Sequence, residues 1–207
     1  MKYDEYEISP NGMRAIAVAL IIFGFIGMIA FTVIGTYNAC VDADTLVLQM
    51  QSNVQTSLEA RADMIPNIIS TISTSSLYER NLQVDIVTGR MLSNNLKTKV
   101  ESATSSDQLD SLRTDIDSSL GRLQITVEQY PDIKSTAQYQ DLQNKLQANE
   151  NQIRADRNMY NAAVRVYQVT VRRFPENILS GFFGYTADRY KMFSASSEKA
   201  EVPIVKF

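Results

Sequence analysis

The feature that most constrains this chain is an uncharged hydrophobic segment close to its N-terminus. Residues 15–35 read AIAVALIIFGFIGMIAFTVIG, and 17 of these 21 residues are hydrophobic. As an α-helix the segment is roughly 31 Å long, which matches the hydrocarbon core of a bilayer. A secretory signal has a shorter apolar stretch of ~7–15 residues. The sequence therefore predicts a transmembrane helix over 15–35 and the lipid bilayer as a partner.

The charges that flank this segment predict its orientation. Lys2 and Arg14 precede it, whereas the next cation after it is Arg61. Lysine and arginine near the ends of a span favour the cytoplasmic side. We therefore expect a single-pass membrane protein with a cytoplasmic N-terminus and an exported C-terminal domain. Cys40, which follows Ala39, leaves two options open: a modified cysteine of the lipoprotein kind, or a plain thiol at the membrane boundary.

The composition of the whole chain excludes several classes of active site. The chain has no His and one Cys, so it has no imidazole metal site, no zinc cluster and no intramolecular disulfide. Its net charge of −3 gives no reason to expect nucleic acid as a partner. Gly121, Gly181 and Gly184 are isolated, so no glycine-rich phosphate loop is present. We expect no catalytic residue, no cofactor and no metal, and hence no enzyme.

After the predicted span, the hydrophobic pattern indicates helices throughout. No helix-breaking residue occurs between Gly35 and Asp63, so the membrane helix can continue into the first helix of the following domain. Pro66 restricts Ile65, which we expect to leave helical geometry. The sequence thus predicts a tight turn or sharp kink at 63–66 and a second helix from Pro66 to about Val100.

A third helix is predicted between a cluster of capping residues at 104–107 and Pro131. Its apolar positions follow steps of three and four: Leu109, Leu112, Ile116, Leu120, Leu123, Val127 and Tyr130. The acid-rich stretch Glu101 to Asp117 is interpreted as a solvated face.

A fourth helix is predicted from about 136, capped by Asp132 or Ser135, to about Arg172. Its seam contains two polar residues, Asn149 and Asp156, for which we predict hydrogen-bonded or register-setting roles rather than binding roles. The complete seam is Tyr139, Leu142, Leu146, Asn149, Ile153, Asp156, Tyr160, Ala163 and Tyr167.

Together these patterns predict an all-α fold, in which the N-terminal transmembrane helix continues into a long antiparallel up-down four-helix bundle. We divide the chain into an N-terminal tail (1–14), the transmembrane helix (15–35), a helical bundle domain (36–178) and an aromatic and basic C-terminal tail (179–207). The tail, with GFFGYTADRYKMF, can lie on a membrane surface or cap the bundle. Five arginines between 154 and 173 suit anionic lipid headgroups, an acidic partner or a solvated flank.

Four separate stretches occur in order after the predicted span: Tyr37-Asn38, the Arg61-Ala62-Asp63-Met64-Ile65-Pro66-Asn67-Ile68 stretch, part of the final long helix, and the tail around Arg173-Phe174-Pro175. Together these stretches resemble the LemA family. The chain departs from the family in its longer N-terminal tail, in Cys40, and in VDADTLVL at 41–48, where many members carry a basic residue. The motif residues that match are Tyr37, Asn38, Arg61, Asp63, Pro66, Asn67, Arg157, Tyr160, Asn161, Arg173, Phe174, Pro175, Asn177, Gly181 and Gly184.

The resemblance implies a single-pass membrane protein with a helical-bundle domain, but no activity and no catalytic residue. If the first helix turns back at 62–66 and the fourth starts there, Tyr37 and Asn161 lie at the same height near the membrane. Arg157 then lies within reach of Asp42 or Asp44. A separation of more than two helical turns between Tyr37 and Asn161 contradicts this register. The same register places Arg172 and Arg173 at membrane depth, where charges are costly.

These patterns and the resemblance therefore favour a membrane-anchored helical interaction or scaffold protein without catalytic activity, with self-association left open. Other membrane or envelope proteins are its expected partners. The alternatives are a membrane-active or envelope-stress and remodelling protein, and a ligand-sensing four-helix domain.

Overall fold

The computed structural model describes residues 10–75, 80–128 and 134–194, and every regular element within these ranges is a helix. This confirms the predicted all-α class. The helices are α1 (Pro10–Ala62), α2 (Met64–Ser75), α3 (Arg80–Ser102), α4 (Ser106–Glu128), α5 (Ala137–Arg172) and the short α6 (Glu176–Leu179).

Helix α1 combines two environments in 53 continuous residues. Its first half is apolar and exposed, with Phe23 77% accessible, and an 18-residue window reaches a mean hydropathy of 2.7 with no part buried. By length and composition, it is the single helix of the described chain that could cross a membrane. From Thr36 onward one face is buried, and Cys40, Val47 and Val54 belong to the core.

The junction between α1 and α2 differs from the sequence prediction. The helical pattern lapses only at Asp63, while Ile65 remains helical and is 1% exposed, so the expectation that Ile65 leaves helical geometry is wrong. Pro66 is the third residue of α2, within the first turn, where backbone N–H groups lack helical partners in any case. A proline at that position therefore kinks the rod without ending it.

The second predicted helix, Pro66 to Val100, is also corrected, because the structure divides this stretch into α2 and α3. The two helices pack against each other, and Gly89 approaches Ile69 so closely that a Cβ atom would lie 1.9 Å from Ile69 Cδ1. Helix α3 then runs back along α1. There the side-chain amide of Gln55 donates to the carbonyls of Val100 (3.0 Å) and Ala103 (2.9 Å) at the end of α3.

Helix α4 begins with a capping box in which Ser105 is the cap. The Ser105 hydroxyl accepts from the Gln108 N–H (3.3 Å), and Gln108 Oε1 accepts from the Ser105 N–H (3.2 Å). Most of the predicted apolar seam is buried, which confirms the assignment of its face, although Tyr130 lies outside the described residues. The buried seam residues are Leu109, Leu112, Ile116, Leu120 and Val127.

Helix α5 packs along α1 and contributes the longest buried seam. Its cap is Thr136, whose side chain accepts from the Tyr139 N–H, rather than the predicted Ser135; Asp132 lies outside the described residues. The predicted apolar seam of this helix is confirmed by the burial of Tyr139, Leu142, Leu146, Ile153, Tyr160, Ala163 and Tyr167. The two polar seam residues are hydrogen-bonded as predicted: Asn149 donates to the Ser57 carbonyl (3.0 Å) and Asp156 accepts from the Ser57 hydroxyl.

These bonds fix the register between α1 and α5, and they contradict the register proposed from the sequence. Ser57 lies between Asn149 and Asp156 in height, so Tyr37, twenty residues earlier, lies level with about residue 172. Asn161 is therefore roughly 17 Å, or about three turns, above Tyr37. The prediction fails because α1 and α2 form one kinked rod, and α5 begins beside α2 instead of beside the 62–66 junction.

Candidate functional site

The polar residues of α5 converge on a C-terminal segment that we call the strap, residues 186–194. Tyr167 donates its hydroxyl to the Thr186 carbonyl (3.1 Å), and Tyr160 donates to the Lys191 carbonyl (3.3 Å). Asn161 makes two bonds to the backbone of Phe193. Its Nδ2 donates to the Phe193 carbonyl (3.2 Å), and its Oδ1 accepts from the Phe193 N–H (2.8 Å). The strap thus runs up α5 from Tyr167 to Asn161.

The strap is also held by α1, through Asp44. Tyr190 donates its hydroxyl to Asp44 Oδ1 (2.8 Å), and Arg189 Nε lies 3.3 Å from the same oxygen. Burial, together with the bond to Asp44, raises the pKa of Tyr190 to about 12. Burial likewise raises the pKa of Tyr167 to about 12. Both phenols therefore stay protonated and able to donate well into the alkaline range.

At the upper end of the strap, Arg157 occupies a place different from the one predicted. Its guanidinium lies 4.7 Å from the centre of the Phe193 ring and 3.0 Å from Asp110, and the residue is 6% exposed. The predicted contact with Asp42 or Asp44 is wrong, since the register shift carries Arg157 upward to the level of α4. Burial raises the pKa of the Asp110 carboxyl, against the opposing charges of Arg157 and Arg113.

A second polar group, the waist cluster, joins three helices above the strap. It consists of Arg61, Arg113, Asp117 and Glu150. Arg61 Nε lies 2.7 Å from Asp117, Arg61 Nη1 lies 3.2 Å from Glu150, and Arg113 Nη2 lies 2.7 Å from Glu150. The acidic face of α4, interpreted from the sequence as solvated, therefore supplies ion-pair partners to arginines of α1 and α5.

Below the strap, residues 173–185 form a compact reversal that we call the foot. The Ser180 hydroxyl donates to the Val171 carbonyl (3.2 Å), which ties the foot back to α5. Gly184 has φ of 81°, a left-handed conformation that favours glycine. The Phe183 ring lies 5.3 Å from the ring of Tyr37, so the foot meets α1 two residues after the apolar span.

Comparison with known families decides what this arrangement belongs to. The model of the LemA family matches residues 50–207, which is more than half of the chain. The chain belongs to the LemA family. No curated protein matches it. The match covers the last part of α1 (50–62), α2 to α6 and the strap of this LemA chain, and it begins after Tyr37 and Asn38.

The structure brings several LemA motif residues together and separates others. Arg157, Tyr160 and Asn161 meet the strap, and Arg61 belongs to the waist cluster. Asp63 accepts from Lys97 of α3 (3.0 Å). Pro66 and Asn67 lie at the kink, and Tyr37 of α1 contacts the foot through Phe183. The motif residues of the foot itself are Arg173, Phe174, Pro175, Asn177, Gly181 and Gly184. Asn38 lies on α1 one residue after Tyr37.

Sequence reasoning missed the partners of these residues. Asp110 and Asp117 belong to the acid-rich stretch that was interpreted as solvated, Asp44 was expected near Arg157, and Phe193 was read as one aromatic of the tail. Arg61 and Arg157 both lie on the inner side of their helices, where a buried arginine needs a carboxylate as its counter-charge. The carboxylate that supplies this counter-charge is set by the register between helices. The residue pattern of a single helix does not reveal that register.

The carboxylates described above are bound to arginines. Among the described residues, no group of three His, Cys, Asp or Glu side chains could hold a metal ion. Cys40 is 0% exposed, and burial is the main cause that raises the pKa of its thiol, with smaller contributions from Glu176 and Asp44. A buried, protonated thiol is a poor nucleophile.

Proposed function

We propose that this LemA protein is a single-pass, membrane-anchored helical interaction or scaffold protein without catalytic activity. The observation that carries the proposal is the continuity of α1. One uninterrupted helix joins the exposed apolar residues 15–35 to the buried core residues from Cys40 onward. An apolar helix that has no protein packed against it is suited to lipid, and a continuous helix would transmit that anchoring rigidly to the domain.

The proposed topology has the N-terminus in the cytoplasm and the helical domain exported. It rests on Lys2 and Arg14, the two cations on the N-terminal side of the span. The domain itself we interpret as an elongated up-down bundle of four helical segments, namely the kinked rod of α1 and α2, then α3, α4 and α5. Its partners in this proposal are other membrane or envelope proteins, or a second copy of the chain.

A surface suited to such partners lies just above the membrane, where α1 and α5 pair. Leu48, Met159, Val166 and Val169 are each about half exposed there. The three residues of α5 recur at spacings of seven and three, which places them along one side of the helix. An apolar row of this kind is typical of a helix that packs against another helix.

The absence of catalysis in this proposal follows from how the polar groups are used. Glu150 lies within 3.2 Å of three arginines, Arg61, Arg113 and Arg154, so its charge is engaged in helix packing. The hydroxyls of Tyr160 and Tyr167 are bonded to strap carbonyls. Within the described residues, these groups fix structure and do not converge on an open cavity.

Photocrosslinking of the full-length protein in native membranes tests the proposal. A photoreactive amino acid is placed at Val166, in the exposed row, or at Met91, which is also apolar and is exposed on distant α3. Adducts from Val166 but not from Met91 support the scaffold function, provided that the protein stays in the membrane during alkaline washing. Mass spectrometry of the adduct then identifies the partner as this chain or another protein. Membrane attachment without any adduct from Val166 contradicts the interaction role, and release by alkaline washing contradicts the anchor.

A membrane-active protein is the second candidate function. It is favoured by three exposed apolar side chains at the foot, Phe174, Ile178 and Phe182, which are 74%, 66% and 88% exposed. Leakage of a trapped dye from vesicles that contain the full-length protein distinguishes this candidate, because a scaffold leaves the bilayer sealed.

A further inference from the structure

The foot lies at the height of the bilayer surface, if the span is anchored as proposed above. Tyr37 is two residues beyond Gly35, the end of the apolar segment, and therefore about 3 Å higher along the helix. Phe183 packs against Tyr37, with ring centres 5.3 Å apart. The polar headgroup layer on each side of the hydrocarbon is roughly 5–7 Å thick. Phe183 consequently falls within that layer.

The direction of the chain makes the foot the lowest part of the domain. Helix α5 descends toward the membrane and ends at Arg172, which lies level with Tyr37 by the register set at Ser57. After the foot the strap ascends, because Thr186 meets Tyr167 and Phe193 meets Asn161. The described segment between these two directions, residues 173–185, is therefore the part of the folded domain nearest the bilayer.

The foot exposes three large apolar side chains. Phe182 is 88% exposed although its ring lies 6.1 Å from that of Phe183, and Phe174 and Ile178 are 74% and 66% exposed. The same short segment buries Ser180, which is 3% exposed, so its conformation is packed and defined. Three large apolar side chains held outward from an ordered turn form an interaction surface.

The charges beside this surface are of the sign that suits phospholipid. Arg172 and Arg173 are exposed, and they end α5 at the level of Tyr37. The nearby acid, Glu176, is partly buried, and its Oε2 atom is enclosed by protein. Apolar and aromatic side chains flanked by arginines are the combination found in segments that lie at a membrane interface.

We propose that the foot is a second membrane contact, which docks on the headgroup layer of an anionic phospholipid bilayer beside the transmembrane helix. Phe174, Ile178 and Phe182 insert among the headgroups, and Arg172 and Arg173 bind lipid phosphates. The contact rests on the proposed anchoring of residues 15–35. It would fix the tilt and rotation of the helical domain, since a single helix crossing the bilayer leaves both free.

Single-tryptophan fluorescence of the full chain in proteoliposomes tests the contact. The chain contains no tryptophan, so Phe182→Trp, Phe23→Trp and Met91→Trp each report one position without further changes. Phe23 lies in the span, and Met91 is 68% exposed on α3, roughly 40 Å above the surface by the register of α1 and α3. The vesicles contain phosphatidylcholine and phosphatidylglycerol, with or without bromine on the upper acyl chain.

We expect the Phe182→Trp emission to shift to the blue and to be quenched by the brominated lipid, whereas that of Met91→Trp stays red and unquenched. Unquenched Phe182→Trp emission beside quenched Phe23→Trp emission overturns the docking and leaves the anchor intact. A Phe182→Trp emission that is blue-shifted but unquenched also overturns the docking, because it indicates that protein and not lipid covers the foot. If Phe23→Trp is itself unquenched, the anchoring is wrong and the docking falls with it.

The charge contribution is tested in the Phe182→Trp background. Replacing phosphatidylglycerol by phosphatidylcholine should weaken the quenching, and Arg172→Gln/Arg173→Gln should weaken it in the same way while making it insensitive to the anionic lipid. The matched control is Arg90→Gln/Lys99→Gln, which removes two exposed cations from α3, far from the bilayer. Equal effects of the two double variants would show that net charge, and not the position of the foot arginines, governs the contact.

Discussion

The hydroxyl of Ser93 donates a hydrogen bond of 2.9 Å to the carbonyl of Ala62, and both atoms are buried. In a continuous helix that carbonyl would accept from the N–H of the residue four positions later, which is Pro66 and has no N–H. Ser93 of α3 therefore replaces the bond that the proline removes. The kinked rod of α1 and α2 is stabilised from outside, at the place where α3 packs against it.

The first prediction concerns this replacement bond. Ser93→Ala leaves the Ala62 carbonyl buried without a partner and should lower the free energy of unfolding by about 1–3 kcal/mol. Ser111→Ala, at an exposed position on α4, should have almost no effect. Urea unfolding of the protein in detergent, followed by circular dichroism, measures both. In a Pro66→Ala background, where the helical N–H is restored, the Ser93→Ala change should cost measurably less; equal costs in the two backgrounds would refute the replacement.

The second prediction concerns the attachment of the strap. Asn161→Ala removes both hydrogen bonds to the backbone of Phe193, so amide exchange of strap residues should become faster by roughly one to two orders of magnitude, equivalent to ~1.5–3 kcal/mol. Asn158→Ala, on the exposed side of the same helix, is the control. Hydrogen exchange read by mass spectrometry reports the strap peptide directly. Unchanged strap protection in Asn161→Ala would mean that Tyr160 and Tyr167 hold the strap without it.

The third prediction concerns the waist cluster. Glu150→Gln removes the negative charge that lies within 3.2 Å of Arg61, Arg113 and Arg154, and should destabilise the domain by roughly 1–3 kcal/mol, because the side chain is only 19% exposed. Asp141→Asn breaks an exposed pair with Lys145 one turn away and should cost only about 0.3–0.5 kcal/mol. Thermal unfolding of both variants at low and high salt compares them. A Glu150→Gln loss no larger than that of Asp141→Asn would show that the cluster is solvated.

The fourth prediction concerns alkaline pH. The pKa values of Tyr167 and Tyr190 are raised from 10.0 to about 12 in the folded protein, so the unfolded chain releases these protons at lower pH than the folded chain. Stability should therefore be unaffected by these groups below pH ~10 and should fall as the pH rises from about 10 to 12. Thermal unfolding at successive pH values measures the fall. Tyr167→Phe should make it less steep, and an unaltered slope would exclude Tyr167 from the effect.

The faces of the helices could be predicted from sequence, and the contacts between them could not. The seams of α4 and α5 were recognised because apolar residues at steps of three and four lie on one side of any α-helix, whatever surrounds it. The polar seam residues Asn149 and Asp156 were likewise recognised as bonded. Their shared partner, Ser57, was invisible, since nothing in its local pattern distinguishes it from other serines of α1.

The candidate site divides in the same way. The family motif drew attention to Arg157, Tyr160 and Asn161, and the structure shows why they occur together: all three hold the strap. The strap carries no helical period, so its path along α5 could not be read from its residues. Asp44 was placed beside Arg157 by the predicted register, but it bonds Tyr190 instead.

What the sequence alone determined is the uncharged apolar segment, the all-helical class and the inward faces of α4 and α5, because these depend on interactions between residues within about one turn of each other. Tertiary structure decided the height at which the helices meet. The stretch 63–66 was predicted to be a tight turn or sharp kink, and the predicted register assumed that the chain turns back there. Pro66 does remove one helical hydrogen bond. A hydroxyl from Ser93, distant in sequence, supplies that bond; the rod continues, and every contact of α5 with α1 shifts by about three turns as a result.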